Sequence, residues 1–283
     1  TVMEDNADNV RAQLDHILDL YRELDEDEQG QIDLSRVTEL QGALDGANDP
    51  DPVEVSTAYR EATWDSSKVT YTDKTADSCT PVADSAEAVT WNAGWYVVNS
   101  TVTIDQPITV NGEVNLILTD GCTLTAEKGI VVTTGNSLTI YAQSGSGTLN
   151  ATGTTDSSNN ASAGIGGSTS SVDSGTITIH GGVINATGGG QSGYYGGAGI
   201  GGGTSKSANG GNSGTIIIYG GTVTANSGAG NATGAGIGGG AGDNVGGAGS
   251  NITIYGGNVT AESHGTSSSG AGIGGGGGDI NNG

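Results

Sequence analysis

From Ser137 onward, apolar and polar residues alternate in short runs that return in the same order. The runs Ser137-Leu138-Thr139-Ile140-Tyr141, Thr176-Ile177-Thr178-Ile179-His180, Thr215-Ile216-Ile217-Ile218-Tyr219 and Asn251-Ile252-Thr253-Ile254-Tyr255 are copies of one pattern. Successive side chains of a strand point to opposite faces, so Ile177 and Ile179 share one face and Thr176, Thr178 and His180 the other. A second alternating run follows each copy, as Thr148-Leu149-Asn150-Ala151, Val183-Ile184-Asn185-Ala186, Thr222-Val223-Thr224-Ala225 and Asn258-Val259-Thr260-Ala261. A third element, Ala-Gly-Ile-Gly-Gly, occupies 163–167, 198–202, 235–239 and 271–275, at intervals of 35, 37 and 36 residues. The same phase turns Ile184, Ala186, Ala198 and Ile200 inward. Each repeat then holds three short strands separated by Gly turns. Stacked repeats place like residues in ladders about 4.8 Å apart. The pattern predicts a mainly β chain, a parallel β-helix with one coil per repeat of about 36 residues.

The shorter stretch upstream fits the same scheme. Leu116 and Leu118 align with Ile177 and Ile179, Cys122 and Leu124 with the second strand, and Ile130-Val131-Val132 with the third. Here Glu127-Lys128 alone joins strands two and three, whereas later repeats carry Gly-, Ser- and Asn-rich loops at that junction and after the Gly-Ile-Gly-Gly turn. Residues 101–110 form the first coil of this reading. Before it the period changes. Val10, Leu14, Ile17, Leu18, Tyr21 and Leu24, then Leu34, Val37, Leu40 and Leu44, recur at helical spacing, with Asp33 as an N-cap and Asp49-Pro50-Asp51-Pro52 as a stop. The expected organisation is a helical hairpin spacer over 1–48, a linker and N-terminal cap over 49–95, and the β-helix over 96–283. Within the cap, Val69-Thr70-Tyr71-Thr72 and Trp95-Tyr96-Val97-Val98 read as strands, and Trp91 and Trp95 as its core.

Composition sharpens this picture. Gly accounts for 54 of 283 residues and Phe for none. Gly without a period of three excludes collagen, and the interleaved Ile, Val and Leu argue against disorder. The formal charge is −23, with 22 acids and 6 bases in residues 1–100 against 9 acids and 2 bases after them. A chain this acidic, with no Arg after Arg60, cannot neutralise a phosphate backbone or an anionic bilayer, so nucleic acid and membrane surfaces are excluded as partners. No apolar run reaches the ~20 residues of a membrane span. The N-terminus does not resemble a signal peptide, and the chain stops where a further repeat would start. Both ends are therefore expected to be cut from a longer protein. Cys79 and Cys122 either pair or stand as small buried hydrophobes; the phase of Cys122 with Leu124 favours the second.

A resemblance adds to this reading. The segment Asn115-Leu116-Ile117-Leu118-Thr119-Asp120-Gly121-Cys122-Thr123-Leu124-Thr125-Ala126, with Trp95-Tyr96-Val97-Val98 and the Ala-Gly-Ile-Gly-Gly series, resembles bacterial cell-surface proteins labelled as carbohydrate-binding domain proteins. The likeness covers roughly residues 90–283 and implies a pectin-lyase-like right-handed β-helix, glycan binding and a secreted, cell-surface or cell-wall location. It carries over no ligand residues. Residues 9–15, 32–36 and 40–44 resemble short helical modules in surface proteins of gut Firmicutes and Actinobacteria.

Chemistry is sparse. Glycoside hydrolysis needs two carboxylates at a set separation, yet Asp105, Glu113, Asp120, Glu127, Asp156, Asp173, Asp243, Glu262 and Asp279 are scattered, and only Asp243 and Asp279 share a repeat phase. His180 and His264 lack partners at metal spacing. Single acids in the loops of Asp173, Asp243 and Asp279 fall short of a calcium loop. No Gly run carries the Lys of a phosphate cradle. We therefore expect no enzyme activity, no metal and no cofactor. The Thr-x-Thr ladders that an ice-binding face would use are broken by Ile217, Asn251 and Val183. The candidate site is the column Tyr141, His180, Tyr219 and Tyr255, outward rings one coil apart beside hydroxyls and amides, which suit sugar rings. Tyr194 and Tyr195, in an inserted loop, are a second candidate. The expected function is a non-catalytic adhesin or display protein whose partner is an extracellular glycan or host or cell-wall polysaccharide. The alternatives are a purely structural stalk or a polysaccharide-degrading enzyme.

Overall fold

The computed structural model describes residues 54–169 and 173–278, together with His16, Ile17 and Leu20. The chain divides between Val53 and Glu54. The expected helical hairpin over 1–48 lies outside the described residues, apart from those three, which are helical and exposed. Asp279 of the candidate acid pair also lies outside them.

From residue 54 the molecule is mainly β, with large sheets whose strands are mostly parallel. Three runs of parallel pairs carry the repeat. In the first, Ile108–Leu118, Ser137–Ala142, Thr176–Ile179, Thr215–Ile218 and Asn251–Ile254 lie side by side in register. The second joins Val102–Ile104, Thr123–Ala126, Thr148–Thr152, Val183–Thr187, Thr222–Asn226 and Asn258–Glu262. The third is short and pairs Ile108, Ile130, Ile165, Ile200, Ile237 and Ile273 in turn.

The alternation drives this arrangement. Inward ladders such as Val114–Leu138–Ile177–Ile216 and Leu124–Leu149–Ile184–Val223 belong to one continuous core whose members are almost fully shielded from water. Each fully buried aliphatic side chain contributes about 1.5–3 kcal/mol through burial alone. The ladders open at the last repeat, where Ile254 and Ile273 are exposed.

Glycine is required where strands turn and backbones touch. Gly166, Gly201, Gly238 and Gly274 hold φ between +132° and +147°. A Cβ on Gly201 would sit 1.9 Å from the carbonyl oxygen of Gly238, so the third strand tolerates no side chain there.

The structure corrects the register of the first repeat by two residues. Val114 and Leu116, not Leu116 and Leu118, stand under Leu138 and Ile140, and through them under Ile177 and Ile179. A slip of two keeps every residue on its face, so the alternation itself cannot exclude it.

The region expected as a linker and cap is built differently. Strands β1 (Val55–Trp64) and β2 (Val69–Pro81) form an antiparallel hairpin. Strand β3 (Val89–Val98) pairs in parallel with Ile108–Leu118 and with the end of β2, so the stack begins before residue 96. Val82 and Trp91 join the core at this end, with Trp91 stacked on Tyr96 at 5.2 Å. The hairpin, however, lies alongside the stack, and Arg60 of β1 pairs antiparallel with Ala142. Cys79 and Cys122 are both free; Cys79 is buried and Cys122 half-buried.

Candidate functional site

The outward column is longer than the four aromatic positions. Pro81, Val97, Ile117 and Tyr141 are successive register partners, and His180, Tyr219 and Tyr255 continue the line. The rings stack nearly flat. Tyr141 and His180 have centroids 4.7 Å apart at 6°, His180 and Tyr219 5.0 Å at 8°, and Tyr219 and Tyr255 5.0 Å at 15°. Parallel register sets this spacing, because each ring sits at the end of a strand one repeat above the last.

The sequence turns these rings outward, where they can meet a ligand or pack against one another, and the structure shows a further element on them. The hairpin covers them. Tyr141 is 7% exposed and His180 8%, while Ile117 and Val97 below them are fully buried although they face away from the ladders. Tyr59 of β1 packs on Tyr141 at 4.7 Å and on Trp95 at 5.0 Å, and Trp95 stacks on Tyr141 at 5.4 Å. Further along, Trp64 stacks on Tyr255 at 5.3 Å. Tyr59, Ala76, Cys79, Val97, Ile117 and Tyr141 form a second apolar cluster. An outward row of apolar and aromatic groups thus binds the chain's own hairpin. Tyr219 is half-buried and Tyr255 37% exposed, so only the far end of the column meets water.

His180 ties the hairpin to the column. The N–H of Ala62 donates to its Nδ1 at 3.1 Å, and the carbonyl oxygen of Ala62 lies 2.8 Å from the same nitrogen. Burial holds the imidazole pKa below its ordinary value, opposed by the Ala62 carbonyl and Glu61. Burial also pushes the Tyr141 phenol up to about 12, with Tyr59 and Glu61 adding to it.

Where hairpin and column meet, a cleft of about 280 Å³ opens to solvent. Its wall includes Arg60 and Tyr71 from the hairpin, Ser144 and Thr222 from the stack, His180 and the turn Gly181-Gly182. The Arg60 guanidinium lies over the Tyr71 ring at 5.0 Å, and its Nε faces Asp73 Oδ1 at 3.3 Å. Behind Ser144, Asp120 accepts hydrogen bonds from the N–H groups of Ser144, Gly145 and Ser146 and from both serine hydroxyls. These donors, Ser144 first, hold its pKa down to about 2.

Tyr194 and Tyr195 belong to a separate place. Tyr195 starts a short strand, Tyr195–Gly196, parallel to Gly230–Thr233, and donates its hydroxyl to Asp243 at 2.9 Å. The Lys206 ammonium sits 5.1 Å from the Tyr194 ring centroid. Tyr195 is buried and presents no open face, whereas Tyr194 is half-buried. The loop acids have structural partners: Asp156 accepts from Ser158 and Asn160, and Asp173 from Asn212. Among the described residues no three His, Cys, Asp or Glu gather where a metal would sit. No helix there is long and apolar enough to cross a membrane.

Protein-family models, characterised proteins and solved structures were all compared with this chain, and none matches it.

Sequence reasoning missed Arg60, Tyr71, Tyr59 and Trp64. The alternation Val55, Thr57, Tyr59 marks the buried face of β1, and that much was available. Its partner strand, many residues downstream, left no local trace.

Proposed function

We propose that the stacked parallel strands between Val89 and Gly274 form a right-handed β-helix of a secreted, cell-surface protein that binds carbohydrate without catalysis. The observation that carries this reading is the cleft beside the ring column. There an aromatic ring, side-chain hydroxyls, a guanidinium and side-chain-free glycine turns surround a space open to solvent. Sugar rings need such a mixture of apolar face and hydrogen-bonding groups. The binding site proposed is this cleft with the open end of the column at Tyr219 and Tyr255, rather than the covered faces of Tyr141 and His180. The engagement of Asp120, Asp156 and Asp173 by hydrogen-bond donors of the protein itself supports a non-catalytic role, because a glycosidase acid must be free to exchange a proton.

A structural stalk is the second reading, favoured by the consumption of the rings in packing the hairpin. A glycan array probed with the full chain separates the two. Binding of a defined glycan class, weakened by Tyr71→Ala or Tyr255→Ala, supports the first reading. An empty array supports the stalk. Release of reducing ends from any bound polymer overturns the non-catalytic assignment.

A further inference from the structure

The cleft has a charge asymmetry that a neutral sugar does not use. Arg60 is its only cation, on a chain of formal charge −23. The guanidinium is held in place from two sides, by the Tyr71 ring beneath it and by Asp73 at Nε. That arrangement engages Nε alone. Both terminal amino groups of Arg60 keep their donors unpaired among the described residues, and this is the edge that grips a carboxylate in a two-pronged pair.

Competition from the protein is weak. The Arg60 side chain is 43% exposed and that of Asp73 87%, so their ion pair is solvent-screened and contributes little. Glu61, the neighbouring acid, is engaged by Lys74 instead. The Asp120 carboxylate beside the cleft is already wrapped by five donors from residues 144–146. A volume of about 280 Å³ lies just below the range of ligand pockets, about 300–1,000 Å³, and suits a single ring rather than a long polymer segment. It is larger than a bare inorganic anion requires. Gly181 and Gly182 keep one wall free of side chains, so a ring can approach the backbone there.

We infer that this cleft is a subsite for a carboxylate-bearing sugar residue, a hexuronic or related sugar acid, with Arg60 pairing its carboxylate and Thr222 and Ser144 placed for its hydroxyls. The inference rests on the carbohydrate-binding reading above and specifies its ligand. It accounts for an arginine fixed by a ring and a carboxylate at the mouth of a polar cleft, in a chain otherwise poor in cations.

The test uses the full chain and three probes in calorimetry: a hexuronic acid oligosaccharide, its methyl ester, and sodium sulfate. The ester keeps the ring and removes the charge. The acid is expected to bind at least about tenfold more tightly than the ester, to weaken as salt rises, and to lose that advantage in Arg60→Gln. Arg60→Lys restores only part of it, because an ammonium lacks the fork. Asp73→Asn, which frees Nε, strengthens binding. Unchanged tryptophan fluorescence of each variant shows that the hairpin is still docked. Equal affinity for acid and ester in the unaltered protein overturns the inference while leaving carbohydrate binding intact, and needs no variant. Sulfate binding as tight as the acid reduces the cleft to a general anion site and also overturns it. Failure of every glycan on the array removes the underlying reading as well.

Discussion

The N–H of Ala62 donates to Nδ1 of His180 at 3.1 Å, across 118 residues of chain. That bond joins the hairpin to the ring column, and it requires a neutral His180 with its proton on Nε2. Protonation forces an N–H onto Nδ1, which suits the Ala62 carbonyl at 2.8 Å but removes the acceptor of the Ala62 N–H.

The first prediction follows from that geometry. The folded-state pKa of His180 is lowered, by burial above all, with Ala62, Glu61 and Lys74 as the groups that face it. The unfolded chain therefore takes up the proton first. The stability that His180 contributes is complete above its ordinary pKa of 6.5 and is lost as pH falls below that value towards the folded-state pKa. Urea melts of the full chain between pH 8 and pH 5 should show this decline. His180→Tyr, which keeps a ring in the column, should flatten it over that interval. An unchanged slope in the variant would assign the pH dependence to other groups.

Tyr59 is the residue through which the hairpin seats on the column, wedged between Trp95 and Tyr141 and only 7% exposed. Tyr59→Ala should cost about 3 kcal/mol, in the range for a buried aromatic. Hydrogen exchange should show the amides of β1 and β2 losing protection before those of Thr176–Ile179. Simultaneous loss in both regions would mean that hairpin and stack unfold as one unit.

Ile216 is fully buried in the middle of its ladder. Ile216→Asp places a carboxylate there without a partner and should cost several kcal/mol, about 3–5 by the scale of a broken buried pair. Thermal melting followed by circular dichroism measures it. A melting temperature within two or three degrees (roughly 1 kcal/mol for a chain this size) would contradict the inward assignment.

Gly201 and Gly121 separate two effects of a missing side chain. Gly121 has φ +75° with open space around its missing Cβ, so Gly121→Ala should cost about 1 kcal/mol from backbone strain alone. Gly201→Ala adds a collision with Gly238 and should cost at least about 3 kcal/mol. Comparable melting temperatures for the two variants would show that neighbouring strands are not in contact there.

Much of the strand pairing was legible in advance because it rests on repetition. Ile177, Ile216 and Ile252 recur in one phase, and stacking like on like is the arrangement that buries all of them at once. The turn glycines were legible for the same reason. Burial of Ile184, Ala186, Ala198 and Ile200 follows from alternation, and the structure places each inside. The offset of the first repeat was not legible, because a shift by two positions preserves the inward and outward sets and changes only which residues are neighbours.

The order of apolar and polar residues by itself determined which side chains turn inward, which strands run in parallel and where glycine is obligatory, since alternation and backbone contact act between near neighbours of one repeating unit. It also put Tyr141, His180, Tyr219 and Tyr255 in one outward line. Only the tertiary structure decided what lies on that line. An outward ring can face water, a sugar or another strand, and nothing within its own repeat distinguishes the three. The choice was made by β1, whose Tyr59 and Trp64 bury apolar ring area that would otherwise stay wet. Docking them closed the near end of the column and brought Arg60 and Tyr71 beside Thr222, where the remaining cleft lies.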